Sequence, residues 1–208
     1  MHRGRLITVE GLDGAGKTTL ALALATALAE RGQAVSLLRE PGGVELSERI
    51  RALVKDPALD VHPRAEALLY AAARAQLVAE ELEPLLAAGE WVLLDRFVDS
   101  SLAYQGAGRS LGVEAIRALN RFATGGMAPD RTLLLRIDAR AGLARAGGRG
   151  ESADRLEREE VAFFEAIGAA YDDLAAAEPD RFAVIDAGQE PRAVLADCLL
   201  ALEPLLGR

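Results

Sequence analysis

Short apolar runs alternate along the chain with longer stretches in which apolar residues recur every three or four positions. The runs Leu6–Val9, Ala34–Leu38, Trp91–Leu94, Thr132–Ile137 and Phe182–Ile185 are near-continuous, the pattern of strands covered on both faces. The stretches Lys17–Glu30, Glu45–Val54, Pro63–Ala87, Val113–Phe122 and Arg155–Ala177 carry helical periodicity. In a last helix, from about Pro191 to Leu206, residues Val194, Cys198, Leu202 and Leu205 fall on one stripe. Gly32 and Gly89 stand where helices are expected to end, and Pro84 sets a kink near the end of the middle helix. Strand-helix alternation of this kind predicts a five-stranded parallel sheet with right-handed crossovers and a ligand at its carboxyl edge. The segment Ala139–Asp154 breaks the rhythm. It is rich in Gly and Arg, lacks apolar periodicity, and reads as a mobile loop.

Composition adds exclusions. With 208 residues the expectation is one domain spanning the chain, large enough to fold without disulfides or metal. Half of the residues are hydrophobic and 27% are charged, a globular balance. The single cysteine, Cys198, leaves no internal disulfide and no cysteine-based zinc site. A net charge of −8 argues against broad binding of nucleic acid or an anionic membrane. The start of the chain has no signal-peptide pattern, and no run of about 18 apolar residues occurs. The expectation is therefore a soluble, cytoplasmic protein.

The strongest chemical signal is Gly11-Leu12-Asp13-Gly14-Ala15-Gly16-Lys17-Thr18, which matches G-x-x-x-x-G-K-[ST] at every fixed position and lies between a strand and a helix. Its glycines let successive backbone N–H groups turn toward phosphate oxygens, and the helix N-terminus adds its positive end. Lys17 is suited to the β and γ phosphates, and the Thr18 hydroxyl to Mg²⁺. Asp95-Arg96 ends the third apolar run. An acidic group there can hold Mg²⁺, and an arginine can pair with a transferring or accepting phosphate. These features indicate a nucleoside triphosphate and leave open what is done with it.

Further segments narrow the reading. Glu10–Thr19 (EGLDGAGKTT), Arg39–Gly43 (REPGG), Leu69–Gln76 (LYAAARAQ), Asp95–Arg96, Ser100–Arg109 (SSLAYQGAGR) and Asp154–Glu157 (DRLE) with Phe163-Phe164 resemble the thymidylate kinase family of P-loop nucleoside monophosphate kinases. The resemblance runs from about residue 5 to about residue 190. It implies a three-layer α/β/α fold of the P-loop NTPase type, with a small Arg/Gly-rich lid near residues 139–154. It also implies transfer of a phosphoryl group from ATP to deoxythymidine monophosphate (dTMP) with Mg²⁺, in the route to dTTP, by a homodimer packed through its long helices. Position by position, Asp13 would contact the sugar 3′-hydroxyl or help place the acceptor. Tyr70, where the family usually has Phe, would stack on the base; pattern alone would make it a core residue. Arg74, spaced i, i+4 from Tyr70, would bond the base carbonyl near the acceptor phosphate, and Arg96 would grip that phosphate. Ser101 and Gln105 would line the base and sugar pocket, and Tyr104 would crowd the sugar 2′ position. Glu40 and Pro41 would shape the pocket edge, Arg51 is a further phosphate contact, and Tyr171 faces the acceptor nucleoside. On the donor side stand Gly11 to Thr19, Arg145 and the Ala187–Gln189 backbone beside the adenine, with Thr18 and Asp95 as the metal pair.

Some family members carry an arginine inside the phosphate loop. Here the loop has none, so a lid arginine must supply that charge, Arg149 first and Arg145 or Arg155 next. Arginine is weak support by itself, since Lys17 and Lys55 are the only lysines among 24 basic residues. Two rival readings are another acceptor, such as a different pyrimidine monophosphate or a nucleoside, and a nucleotide switch or motor ATPase. A cytosine pocket would need an acceptor for the exocyclic amine, whereas Arg74 offers only donors. A guanine-reading N-K-x-D segment is missing, because the single asparagine, Asn120, is followed by Arg121.

Overall fold

The computed structural model describes residues 3–148, 155–156 and 159–206. In chain order the elements are β1 (Leu6–Gly11), α1 (Lys17–Glu30), β2 (Val35–Arg39), α2 (Glu45–Lys55), α3 (Pro63–Leu77), α4 (Glu83–Ala87), β3 (Trp91–Asp95), α5 (Val98–Ser101), α6 (Val113–Ala123), β4 (Arg131–Arg136), α7 (Ala139–Gly147), α8 (Val161–Ala177), β5 (Phe182–Asp186) and α9 (Pro191–Leu206). The strands form one parallel sheet in the order β2-β3-β1-β4-β5. All five expected strands are present, with ends shifted by one or two residues.

The two faces of the sheet explain why these runs are nearly continuous in apolar residues. Ile7 and Val9 of β1, Leu93 of β3 and Leu133 and Leu135 of β4 pack with Leu24 and Leu28 of α1 and Cys198 and Leu202 of α9. The intervening residues Leu6, Val92 and Leu94 face Leu77, Leu82, Leu86 and Phe97 on the other side. Helix α8 closes that second face through Phe164, Ile167 and Tyr171. Each large side chain fully withdrawn from water here contributes about 1.5–3 kcal/mol. Beneath this second layer, the Thr8 and Thr132 hydroxyls pair at 2.9 Å, and Thr132 donates to Asp99, which is gripped by Arg181. A polar cluster thus ties β1, β4, α5 and the start of β5 together with its hydrogen bonds made.

Gly32 and Gly89 have φ values of 81° and 88°, and their N–H groups close the ends of α1 and α4 as the sequence predicts. The middle helical stretch is less regular than expected. A widened turn, Val78–Leu82, intervenes between α3 and α4, and Pro84 follows at the first turn of α4, where its missing N–H is tolerated. In the stretch expected to be helical from Arg155, residues 155–156 and 159–160 are not helical, and α8 begins at Val161. A short helix that the pattern did not predict, α5, runs into a second widened turn, Leu102–Gly108.

The segment Ala139–Asp154 is not the loop that its composition suggests, as far as Gly148. Residues Ala139–Gly147 form α7, and 149–154 lie outside the described residues. Asp138 explains the start: its side chain accepts from the N–H groups of Arg140 and Ala141 at 3.0 and 3.1 Å. Gly142 is a packing notch and not a breaker. A Cβ there would lie 2.7 Å from the Asp13 carbonyl oxygen, and one on Gly14 would lie 2.0 Å from the Gly142 carbonyl oxygen. The backbones of α7 and the phosphate loop therefore touch directly. Replacing Asp138 by Ala is expected to cost about 1 kcal/mol of stability, read from urea unfolding midpoints.

Candidate active site

The carboxyl ends of β1 and β3 set the site. Parallel pairing places Val9 beside Asp95, so the turn after β1 and the Asp95-Arg96 step emerge side by side. The Arg96 N–H donates to the Val9 carbonyl at 3.0 Å and its backbone takes a positive φ of 71°, uncommon for a side chain of this size. This conformation accompanies a guanidinium turned back across the β1 turn. It donates to the Gly11 carbonyl and the Ser100 hydroxyl at 3.1 Å, and to Asp13 at 2.6 Å. The Tyr104 hydroxyl accepts from Arg96 and donates to Asp13, both at 3.1 Å, and the guanidinium lies 4.9 Å from the Tyr104 ring. Burial alone would raise the Asp13 carboxyl, but Arg96 and Lys17 beside it hold it well below the usual carboxylate range.

A cleft of about 460 Å³ opens above these groups. One end is the phosphate loop. Gly14, Gly16, Lys17, Thr18 and Thr19 line it, while Gly11 ends β1, Leu12 is buried and Ala15 packs in the core. Gly14 and Gly16 adopt φ values of 78° and 91°, which the turn into α1 requires. The Lys17 ammonium donates to the Leu12 carbonyl at 2.8 Å. Burial and the facing Arg96 lower it to about 8, against the pull of Asp13, Asp95 and Glu10. The Thr18 hydroxyl donates to Asp95 at 2.7 Å, so the expected metal pair is adjacent. Among the described residues no group of three or more His, Cys, Asp or Glu side chains could hold a metal. One hydroxyl and one carboxylate beside a phosphate site suit Mg²⁺, which keeps most of its ligands as water and phosphate oxygen.

The other end of the cleft is lined by Glu40, Pro41, Arg51, Tyr70, Arg74, Ser101, Tyr104 and Gln105. Tyr70 and Arg74 come from α3, and Ser101, Tyr104 and Gln105 from α5 and the widened turn after it. Arg74 is only 2% exposed; it donates to Glu40, Ser101, Asn120 and the Phe97 carbonyl, and a second of its nitrogens is ion-paired with Glu40. It therefore acts first as the buried post of this wall. Glu40 is pushed up to about 7 by burial, against the pull of Arg74, and its Oε1 has no hydrogen-bond partner among the described residues. Arg51 donates to the Pro41 carbonyl at 2.9 Å, and the Glu40–Pro41 peptide is cis.

Tyr171 and Gln189 are not among the residues that line the cleft. Tyr171 is buried beneath the cleft, where its hydroxyl meets Ser100 and Glu10 at 2.9 Å. Gln189 is exposed on the turn after β5 and donates to the Asp186 carbonyl and to Asp197. Arg149 lies outside the described residues. Arg145 does line the cleft from α7, and it donates to the Ala187 carbonyl at 2.9 Å, tying α7 to the turn expected to meet adenine. Arg155 stands on the opposite side, bonded to the Val54 carbonyl and to Glu66.

The whole chain carries the same kinship as the cleft. A family profile described as Thymidylate kinase matches residues 9–198. The thymidylate kinase of Deinococcus radiodurans is 50% identical over 187 residues, 90% of each chain. That of Latilactobacillus sakei is 49% identical, covering 94% of this chain and 93% of its own. The crystal structure of thymidylate kinase from Ehrlichia chaffeensis superimposes with a TM-score of 0.80 at 29% identity, covering 97% and 99% of the two chains. The chain belongs to the thymidylate kinase family.

Several residues of this chain escaped the sequence reading. Arg39, Lys55, Ser100 and Leu156 also line the cleft. Glu10 lies buried under it and accepts from the Phe97 N–H, Ser100 and Tyr171, with burial and Asp99 pushing its carboxyl up. Arg39 and Ser100 stand inside the REPGG and SSLAYQGAGR segments, and Glu10 begins the phosphate-loop segment, so neighbourhood in sequence could have marked them. Glu66 carries no such signal. The lowered Lys17 sets an expectation: ATP affinity is flat below pH 8 and weakens by about tenfold per unit above it, as Lys17 loses its proton. Calorimetric titration of ATP between pH 6.5 and 9.5 checks this.

Proposed function

We propose that this member of the thymidylate kinase family transfers the γ-phosphoryl group of ATP to the phosphate of dTMP. The observation that supports this most is one cleft with a phosphate loop at one end and a walled pocket at the other, Arg96 and Asp13 standing between them. An acceptor phosphate oxygen attacks the γ-phosphorus in line, the bond to the β–γ bridging oxygen breaks, and ADP and dTDP leave. Such a step needs positioning and positive charge and no covalent intermediate. Lys17 and the loop N–H groups hold the donor phosphates, and Arg96 holds the acceptor phosphate. Thr18 and Asp95 would hold Mg²⁺, which supplies charge to the β and γ oxygens. Tyr70 stacks on the base, Arg51 faces the acceptor phosphate, and Ser101, Gln105, Glu40 and Pro41 close the pocket. Arg149, with Arg145 and Arg155 to either side in sequence, brings further charge over the transferring group. Closure of that segment would exclude water. Tyr171 serves from below by fixing Ser100. This reading places the enzyme in the cytoplasm, with the nucleotide pools it draws on.

An acceptor panel tests the reading. With Mg-ATP, dTMP is expected to give ADP and dTDP in equal amounts and water alone almost none. ATP hydrolysis unaffected by any nucleoside monophosphate would overturn it. Tyr104 stands against Asp13 and Arg96 where the sugar is placed, so Tyr104→Ala is expected to reduce preference for deoxyribose over ribose at least about tenfold. The ratio of kcat/KM for thymidine monophosphates with and without the 2′-hydroxyl is the measurement.

We also propose a homodimer. Leu53 on α2, Leu68 on α3 and Phe122 on α6 are large apolar side chains that remain exposed, Phe122 at 89%, and α3 packs against both neighbouring helices. Phe122→Glu should convert the dimer to a monomer in sedimentation velocity.

A further inference from the structure

Glu66 of α3 is fully buried at the back of the base pocket and does not line the cleft. Its Oε2 accepts from Arg155 at 2.5 Å and lies 3.2 Å from an Arg109 nitrogen. Its Oε1 accepts from the Gln105 amide nitrogen at 2.9 Å and from the Arg109 Nε at 3.4 Å. Arg109 is held in turn by Glu159 at 2.6 Å, and Arg155 by the Val54 carbonyl at 3.1 Å. The carboxylate is thus clamped between two guanidinium groups, and it can only accept.

That has a consequence for Gln105, which is 2% exposed and does line the cleft. A glutamine amide presents a donor on one side and an acceptor on the other, and which way it faces is set by its partners. Against Glu66 only the NH₂ side fits. The carbonyl oxygen is left for the pocket, and among the described residues no donor reaches it. Arg74, the main donor of the same wall, donates to Glu40, Ser101, Asn120 and the Phe97 carbonyl and not to Gln105. An acceptor so placed suits a pyrimidine whose ring N3 bears a hydrogen, as in thymine and uracil. It leaves a cytosine ring, whose N3 is itself an acceptor, facing a lone pair.

We propose that Glu66 is a positioning residue for base selection: it orients the Gln105 amide so that the pocket reads an N–H at ring position 3 and rejects 4-amino pyrimidines. This rests on the reading of the cleft as a dTMP site.

The test is Glu66→Gln, compared with Glu66→Asp and the wild type, using dTMP and dCMP with Mg-ATP. In Glu66→Gln the new side-chain oxygen takes the Oε2 place, where the closer nitrogens of Arg155 and Arg109 face it, and its NH₂ takes the Oε1 place facing Gln105, giving up the longer Arg109 Nε contact. The Gln105 amide must then turn over, and its NH₂ enters the pocket. The ratio of kcat/KM for dTMP to that for dCMP is expected to fall at least about tenfold, mainly through loss on dTMP. Glu66→Asp keeps an acceptor and is expected to hold that ratio within about threefold while kcat falls, an outcome that a merely structural role would not separate. A folded Glu66→Gln protein with the wild-type ratio overturns the proposal. Should that variant fail to fold, the wild type decides. The Gln105 side-chain amide protons, followed by ¹H–¹⁵N spectroscopy, should include one that is protected from exchange and unmoved by dTMP, whereas transfer of that bond to the nucleotide overturns the proposal. A wild type that phosphorylates neither nucleotide defeats the dTMP reading separately, and the amide spectrum still decides the orientation of Gln105.

Discussion

The parallel pairing of β1 with β3 is the constraint on which the site depends. It sets Val9 beside Asp95 and so brings two chain reversals to one edge of the sheet. One reversal is glycine-rich and leads into α1; the other carries Arg96 in a strained conformation. Their meeting point is the Arg96–Asp13 pair, partly buried and bridged by Tyr104. A charge pair so placed is costly to desolvate unless its remaining hydrogen-bonding capacity is used. Arg96 uses it on Gly11, Ser100 and Tyr104 as well as Asp13. The guanidinium is therefore aimed before any substrate arrives, and little reorganisation remains for the reaction itself.

A second polar layer supports the first. Glu10, Ser100 and Tyr171 sit under Arg96, and Thr8, Thr132, Asp99 and Arg181 continue that layer through the centre of the sheet. Buried networks of this kind are stabilising only when their members are satisfied. Glu40, whose Oε1 has no hydrogen-bond partner among the described residues, lines the cleft.

How much of this was legible in the sequence follows from the range of the interactions. The strands were legible because both of their faces are buried, which leaves continuous apolar runs with few alternatives. The phosphate loop was legible because its function demands glycines and a lysine at fixed spacing. Segment α7 was misread: Gly142 and Gly148 look like loop residues, while the Asp138 cap and the contact of Gly142 with Asp13 are what make a helix there. The widened turn at Leu102–Gly108 has no periodic signature, so its tract could be assigned to the site only by resemblance. Arg74 was legible as a pocket residue but not as a post bonded to Glu40 and Asn120, since those partners lie 34 and 46 positions away. Glu66 looked like one more charge on the first turn of an amphipathic helix, and nothing local distinguishes it from an exposed glutamate.

The widened turn also bears on how this pocket can change over time. Ser101, Tyr104 and Gln105, spaced i, i+3 and i+4, line the cleft from one side of this coil. Loss of one residue there would tighten the coil and swing the side chains beyond the deletion around the axis, taking Gln105 away from Glu66. Point substitution can tune the lining of such a wall gradually, but length variation in this stretch is all or nothing. The seven residues Leu102–Gly108 should therefore tolerate changes of identity far better than insertions or deletions.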